Sequence, residues 1–256
     1  IRDFLASYRI PKHSDTSEAL TINSSTSTLD WVNSQGPHPD SLDPMTSTNN
    51  DIPANTPGDV TLTQSTSTAV KPVDTQQVRF LQINLQKSKA AQASFVNDLQ
   101  HYKTCIAMIQ EPYVTKYGSI TPNTRGTIRY KVAGAARSCI ITSKDVKAWS
   151  LGEFTDSDIT TIMWFTQDPA TPKIILCSWY ADILLPTIHP KLKSLVAHAK
   201  RLRIPLIIGA DTNSHSTLWG CEENNKRGED LDRFLLQHGL SVANQGNTVT
   251  FDAGLR

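Results

Sequence analysis

The stretch 204–220, IPLIIGADTNSHSTLWG, decides how the rest of the chain is read. Apolar residues run from Ile204 to Ile208 and stop at Gly209, and Asp211, Asn213 and His215 then follow at every second position. A short apolar run bounded in this way reads as a buried strand. Polar side chains delivered at its carboxyl end fall where ligands bind in α/β folds, at the rim of the sheet.

Two earlier strand ends repeat the pattern. VRFLQINLQ (78–86) alternates apolar and polar residues and carries Asn84. CIAMIQEPY (105–113) reads as a buried strand stopped by Pro112, with Gln110 and Glu111 at its end. Between them, SKAAQASFVNDLQHY places Ala91, Phe95, Val96 and Leu99 at helical spacing, which makes a β-α-β opening. Further strands are expected in GTIRYKVAG (126–134), SCIITS (138–143), ITTIMWFT (159–166), KIILCSWY (173–180) and NTVTF (247–251). Two more helices are expected in HPKLKSLVAHAKRLR (189–203) and GEDLDRFLLQHGL (228–240), the second stopped by Gly239. Strands mixed with a few helices argue an α/β or α+β fold.

The preceding 77 residues differ in kind. Residues 14–75 are rich in Ser, Thr, Asn, Asp and Pro, with few large apolar residues and no period. Such a segment buries too little surface to offset its chain entropy, so 1–77 reads as a disordered tail before a folded domain over 78–256. The first ten residues alone have the composition of a short helix. Net charge is +1, but it divides: residues 1–78 hold four Lys/Arg against nine Asp/Glu, and 79–256 hold 21 against 15. The folded part is mildly basic, which permits a polyanionic partner without requiring one. No apolar run approaches 18 residues, so no membrane-spanning helix is expected. The four cysteines lie far apart without a CxxC pair, which fits free buried thiols in an intracellular protein, nuclear or cytoplasmic, and neither a zinc site nor a disulfide scaffold.

Two carboxylates, Glu111 and Asp211, with Asn84 and Asn213 form a hard-oxygen set. Such donors suit Mg²⁺ or Mn²⁺, which keep several waters and share phosphate oxygens. Taken singly, Asn84 and Asp211 also fit turn or cap positions, and Glu111 an exposed loop charge.

The order of the three strand ends resembles the endonuclease/exonuclease/phosphatase superfamily, and most of all the endonuclease domain of non-LTR (LINE-type) retrotransposons. The matching stretches are LQINLQKSKAA, IAMIQEPYV, ARSCIITS, CSWYADI, IIGADTNSHSTLWG and NNKRGEDLDRFLLQHGLSVANQGNTVTF. The resemblance implies a four-layer sandwich of two packed β-sheets flanked by helices. It implies a metal-dependent nuclease that nicks one strand of DNA and leaves a 3′-hydroxyl for a reverse transcriptase region further along the parent protein. Glu111 would be the main metal ligand, assisted by Asn84, which would also meet the phosphate. Tyr180 would contact the scissile phosphate, Asp211 would activate the attacking water or assist the leaving oxygen, and Asn213 would donate to the charged transition state. His215 matches a position that such members tend to fill with His. His215 and Arg137 are further candidates for the substrate. Tyr180 equally fits a core aromatic, His215 a loop residue, Arg137 a salt bridge, Trp219 a packing residue under the loop, and Arg227-Gly228 a loop fixture.

One departure bears on activity. The superfamily's late Ser-x-Ile-Asp strand and Ser-Asp-His motif do not occur in these 256 residues. The expectation is therefore a partial domain, incomplete at its carboxyl end, nearly inactive as it stands, with an open sheet edge. The rival readings are another phosphoesterase of the superfamily, an exonuclease or phosphatase, and a non-catalytic relic that only binds nucleic acid.

Overall fold

The computed structural model describes residues 78–244 apart from 103, 123 and 124, together with the backbone of three short strands nearer the amino terminus. In chain order the elements are β1 (Phe4–Tyr8), β2 (Thr21–Asn23), β3 (Thr28–Asp30), β4 (Arg79–Asn84), α1 (Lys89–Leu99), β5 (Cys105–Gln110), β6 (Thr127–Tyr130), β7 (Ser138–Ser143), β8 (Ala148–Ser150), β9 (Ile159–Phe165), β10 (Lys173–Tyr180), α2 (Pro190–Leu202), β11 (Leu206–Asp211), α3 (Lys226–His238) and β12 (Ser241–Val242). They belong to one unit, formed by Ile1–Val32 with Gln77–Arg256. The expected strand at 247–251 lies outside the described residues, as does 33–76.

Two mixed sheets form the centre. Each has a four-stranded core, β4-β5-β7-β6 in one and β11-β10-β9-β8 in the other. In each, one parallel pair sits beside antiparallel neighbours: β4 with β5, and β10 with β11. Strands β3 and β2 extend the first sheet beyond β4, and β1 and β12 extend the second beyond β11.

Three apolar clusters give the layers. Phe80, Met108, Ile140, Ile162, Leu176 and Ile207 meet between the sheets. Val96 and Leu99 of α1 pack on Leu81, Ala107, Ile109 and Ile141, on the outer face of the first sheet. Leu192, Leu195 and Val196 of α2 and Leu231, Phe234 and Leu235 of α3 pack with Ile175, Trp179, Leu206 and Ile208 of the second. The result is the four-layer α/β sandwich that the resemblance implied.

Local chemistry sets the helix ends. Ser88 Oγ accepts Ala91 N–H at the start of α1. Pro190 opens α2 behind His189, whose imidazole accepts Lys191 N–H. Asn225 caps α3, which starts two residues before the apolar pattern does, and Gly239 ends it in the left-handed conformation. The early start places Arg227 and Gly228 in the first turn.

Two expectations are corrected at the amino terminus. The first ten residues contain a strand rather than a helix, since β1 pairs antiparallel with β11 over Phe4↔Ala210 to Tyr8↔Leu206. With β2 and β3, it also puts regular structure into part of the segment read as a tail. The physical reason is the edge of β11: its unpaired backbone groups accept an extended segment, and that pairing outweighs a weak local helix preference. Cys105, Cys139 and Cys177 are buried free thiols, and burial pushes the Cys139 and Cys177 thiols up to about 12, leaving them inert.

Candidate active site

Strand alternation builds the site. On β4, Phe80, Gln82 and Asn84 share one face, and on β5 so do Met108 and Gln110. Leu176, Ser178 and Tyr180 share a face of β10, as Ile207, Gly209 and Asp211 do of β11. Phe80, Met108, Leu176 and Ile207 at the lower positions lie in the inter-sheet core. Strands β4, β10 and β11 thus run from apolar, through small or polar, to site residue along the face that meets the other sheet, while β5 ends on that face at Gln110. An oily strand delivers polar groups at its carboxyl end because those positions emerge at the mouth of the sandwich.

A buried polar layer separates core from site. Gln82 Nε2 donates to Gln110 Oε1 at 2.7 Å. Gln110 Nε2 donates to Ser178 Oγ at 2.9 Å and to Gly209 O at 3.0 Å, and Ser178 Oγ donates back to Ile109 O at 2.9 Å. The bonds that join Gln110 and Ile109 to Ser178 and Gly209 cross between the sheets. Gly209 makes room for them, since a Cβ there would lie 3.0 Å from Gln82 Cγ and from Met108 Sδ.

Above this layer the site residues converge. Asn84 Nδ2 donates to Asp211 Oδ2 at 2.6 Å and lies 3.3 Å from Glu111 Oε2, so one carboxamide joins the two carboxylates across the sheets. Asn84 Oδ1 accepts Gln86 N–H at 2.7 Å. Register places Tyr180 opposite Asp211 and Asn84 opposite Gln110. Asp211 Oδ1 accepts Asn213 N–H at 3.0 Å, and Asn213 Nδ2 donates to Ala181 O at 3.1 Å. Glu111 follows Gln110 directly and would face away by strict alternation. Its φ of 45° breaks that alternation. Gln86, Lys87 and Asn213 also have positive φ, so four of the five such non-glycine residues among those described border this cleft. Strained backbone of this kind gathers at functional sites.

The electrostatics suit proton and phosphate chemistry. Asp211 is buried, and burial raises its carboxyl above the usual aspartate value, with Glu111 adding to the rise and the bonds from Asn213 and Asn84 opposing it. Tyr180 is raised by burial and by Glu111, which keeps its hydroxyl protonated and able to donate. Lys87 Nζ lies 3.4 Å from Glu111 Oε1.

Of the other predicted residues, Arg137 is spoken for. It donates to both oxygens of Asp158 and to Asp182, and it stands 5.2 Å from the centre of the Tyr180 ring. Burial alone would lower its pKa, and the two carboxylates raise it well above the ordinary value. It therefore steadies Tyr180. His215 is held through its backbone, by Asn225 Oδ1 and Asn225 N–H, while its imidazole is exposed. Trp219 is buried under the loop.

Arg227 fixes a loop, donating to the carbonyls of Asp182, Ile183 and Leu185. Its neighbour Gly228 presses on the site loop, and sequence reasoning gave it no further role. Gln82, Gln110 and Ser178 were missed as positioning groups; for Gln82 and Ser178 the signal was a polar side chain inside a strand with apolar neighbours on both sides, and for Gln110 a carboxamide closing an apolar strand.

The donor set fits a hard divalent ion. Glu111 and Asp211 supply carboxylate oxygens, as Mg²⁺ requires, and open water positions complete such a shell. Among the described residues no group of three or more His, Cys, Asp or Glu gathers.

A family model described as endonuclease–reverse transcriptase matches residues 159–254, which include Tyr180, Asp211, Asn213 and His215. Among solved structures, the endonuclease domain of TRAS1, a telomere-specific non-LTR retrotransposon, superposes with a TM-score of 0.52. The two share 27% identity, over 68% of this chain and 76% of that one. No curated protein matches by sequence.

Proposed function

We propose that this chain, similar in fold and sequence to the endonuclease domain of a non-LTR retrotransposon, is a divalent-metal-dependent nuclease domain that cuts one strand of DNA. One observation carries the reading: Asn84 joins Glu111 to Asp211, so the ends of distant strands in two sheets form one acidic cleft beside Tyr180 and Asn213.

Glu111 would hold Mg²⁺ or Mn²⁺, with Asn84 beside it. The ion, when bound, neutralises charge on the non-bridging oxygens of the phosphate. The residues do the rest. Asp211, raised in pKa and steadied by Asn84 and Asn213, takes a proton from the attacking water as its oxygen bonds to phosphorus. The bond from phosphorus to the 3′ oxygen breaks, that oxygen takes a proton from solvent and leaves as a 3′-hydroxyl, and Asp211 returns its proton to solvent. Tyr180 and Asn213 donate hydrogen bonds to the phosphate oxygens as their charge grows. One such donor contributes about 2.7–4 kcal/mol of transition-state stabilisation. Within these 256 residues no Ser-Asp-His supplies an imidazole, a kind of acid–base help that typically contributes about 10²–10⁴ in rate.

The test is a single-turnover nicking assay on supercoiled plasmid, run beside phosphate release from a monoester. Relaxed circles should accumulate slowly with Mg²⁺, stop with chelator, and be lost in Glu111→Gln, with no phosphate released. Metal-dependent nicking that survives Glu111→Gln would overturn the site assignment. Phosphate release without nicking would favour a phosphatase. Tight duplex binding without nicking would favour the binding relic.

A further inference from the structure

The turn that follows β10 exposes three large apolar side chains in succession: Ile183 at 65%, Leu184 at 88% and Leu185 at 46%. Such residues normally retreat when a loop is free to fold back. Here the backbone is fixed. Leu184 N–H donates to Asp182 Oδ1 at 2.8 Å and Leu185 N–H to Asp182 O at 3.1 Å. Arg227 donates to Ile183 O at 3.4 Å, to Leu185 O at 2.9 Å and to Asp182 O at 3.2 Å. Arg137 grips the Asp182 carboxylate. Ala181, just before the turn, donates to Asp211 O at 2.8 Å and accepts from Asn213 Nδ2 at 3.1 Å. The apolar tip is thus tied to the acidic cleft and held out from the surface.

Resting on the nuclease reading above, we infer that the Asp182–Leu185 turn is a wedge that seats its apolar side chains against the base stack of a DNA duplex beside the scissile phosphate. Leu184 lies four residues beyond Tyr180, a reach of at most ~14 Å. A phosphate set at Tyr180, Asp211 and Asn213 therefore carries its neighbouring nucleotides, spaced by ~3.4 Å, across the tip. Ile183, Leu184 and Leu185 have no hydrogen-bonding side-chain atoms, so they read no base edge. They match base faces and sugars, the contact by which inserted Leu and Ile side chains unstack a step. Rigidity is what the role needs, since a wedge that yields unstacks nothing.

The test uses this chain with Mg²⁺, a short duplex carrying 2-aminopurine near its centre, and fluorescence polarisation. The parent should bind and brighten the 2-aminopurine as the step unstacks. Leu184→Ser should melt as the parent does, raise the duplex Kd about tenfold, as fits burial of one leucine-sized group, and lose the brightening. Its salt dependence should be unchanged, since no phosphate contact is removed. Leu236→Ser, at an equally exposed leucine on α3, should change none of these. A parent that binds without brightening, or a Leu184→Ser variant that binds like the parent, overturns the wedge and leaves the nuclease reading standing. So does a Leu184→Ser variant that alters only self-association, which would make the tip a protein contact. A parent that binds no duplex overturns both.

Discussion

Gly228→Ala is a sharp probe of how the site loop is held. Gly228 lies in the first turn of α3, where replacing Gly by Ala ordinarily stabilises a helix by about 0.5–1 kcal/mol. Here the added Cβ would sit 1.8 Å from His215 O and 2.7 Å from His215 C. Both are backbone atoms, so no side chain can swing aside, and the helix or the loop must move by about 1 Å. The same carbonyl accepts Asn225 N–H at 3.0 Å, and Asn225 Oδ1 accepts His215 N–H at 3.1 Å, so the movement strains both bonds. Overpacking costs about 1–3 kcal/mol and each weakened bond about 0.5–1.5 kcal/mol. A net loss of about 3 kcal/mol would lower Tm by about 6–12 °C for a domain of this size. The loop that moves follows Asp211 and carries Asn213, and a displacement of this order costs about 10²-fold in rate. Thermal melting gives the first number and single-turnover nicking the second. The sign decides: a Tm that rises, as in an ordinary helix, would refute the close approach of α3 to the loop.

Further outcomes follow from the polar layer and from Asp211. Gln110→Leu leaves Gln82 Nε2 with only its long bond to Ala210 O and removes the Gln110 donor to Gly209 O and Ser178 Oγ inside the sandwich, and should destabilise by about 3 kcal/mol in urea unfolding; an unchanged midpoint would show that the layer does not hold the sheets in register. Asp211 is raised in the folded state, so its contribution to stability is fully present below the unfolded value of about 3.9 and is lost as pH rises through the folded pKa. Asp211→Asn should therefore flatten the fall in stability between the unfolded value and the raised folded pKa, measured by melting across pH, and an identical pH profile in the two proteins would contradict the burial argument.

Much of the fold was legible because its signals are periodic. The apolar runs at 105–110, 173–180 and 206–211 and the helical spacing at 190–202 became the elements expected. The strand ends named Asn84, Glu111, Tyr180, Asp211 and Asn213, and the structure brings all five to one cleft. What escaped depends on contacts between distant segments. In VRFLQINLQ the alternation suggests that Gln82 faces water, yet both faces of β4 are covered and Gln82 is buried against Gln110. Arg137 presents itself as a phosphate ligand until Asp158 and Asp182 are seen around it. The pairing of β1 with β11 joins residues some 200 positions apart, which no local pattern announces. The left-handed turn at Glu111 is equally silent, because a strand pattern followed by Glu-Pro does not say which way the carboxylate will face.

The central claim is that one divalent ion is held where the two sheets open. Crystals soaked in Mn²⁺ and measured at the manganese absorption edge test it directly. The account predicts an anomalous peak within bonding distance of the Glu111 carboxylate, beside Asn84 and Asp211, and its loss in Glu111→Gln. A peak elsewhere on the chain, or none in the cleft at saturating Mn²⁺, would contradict it.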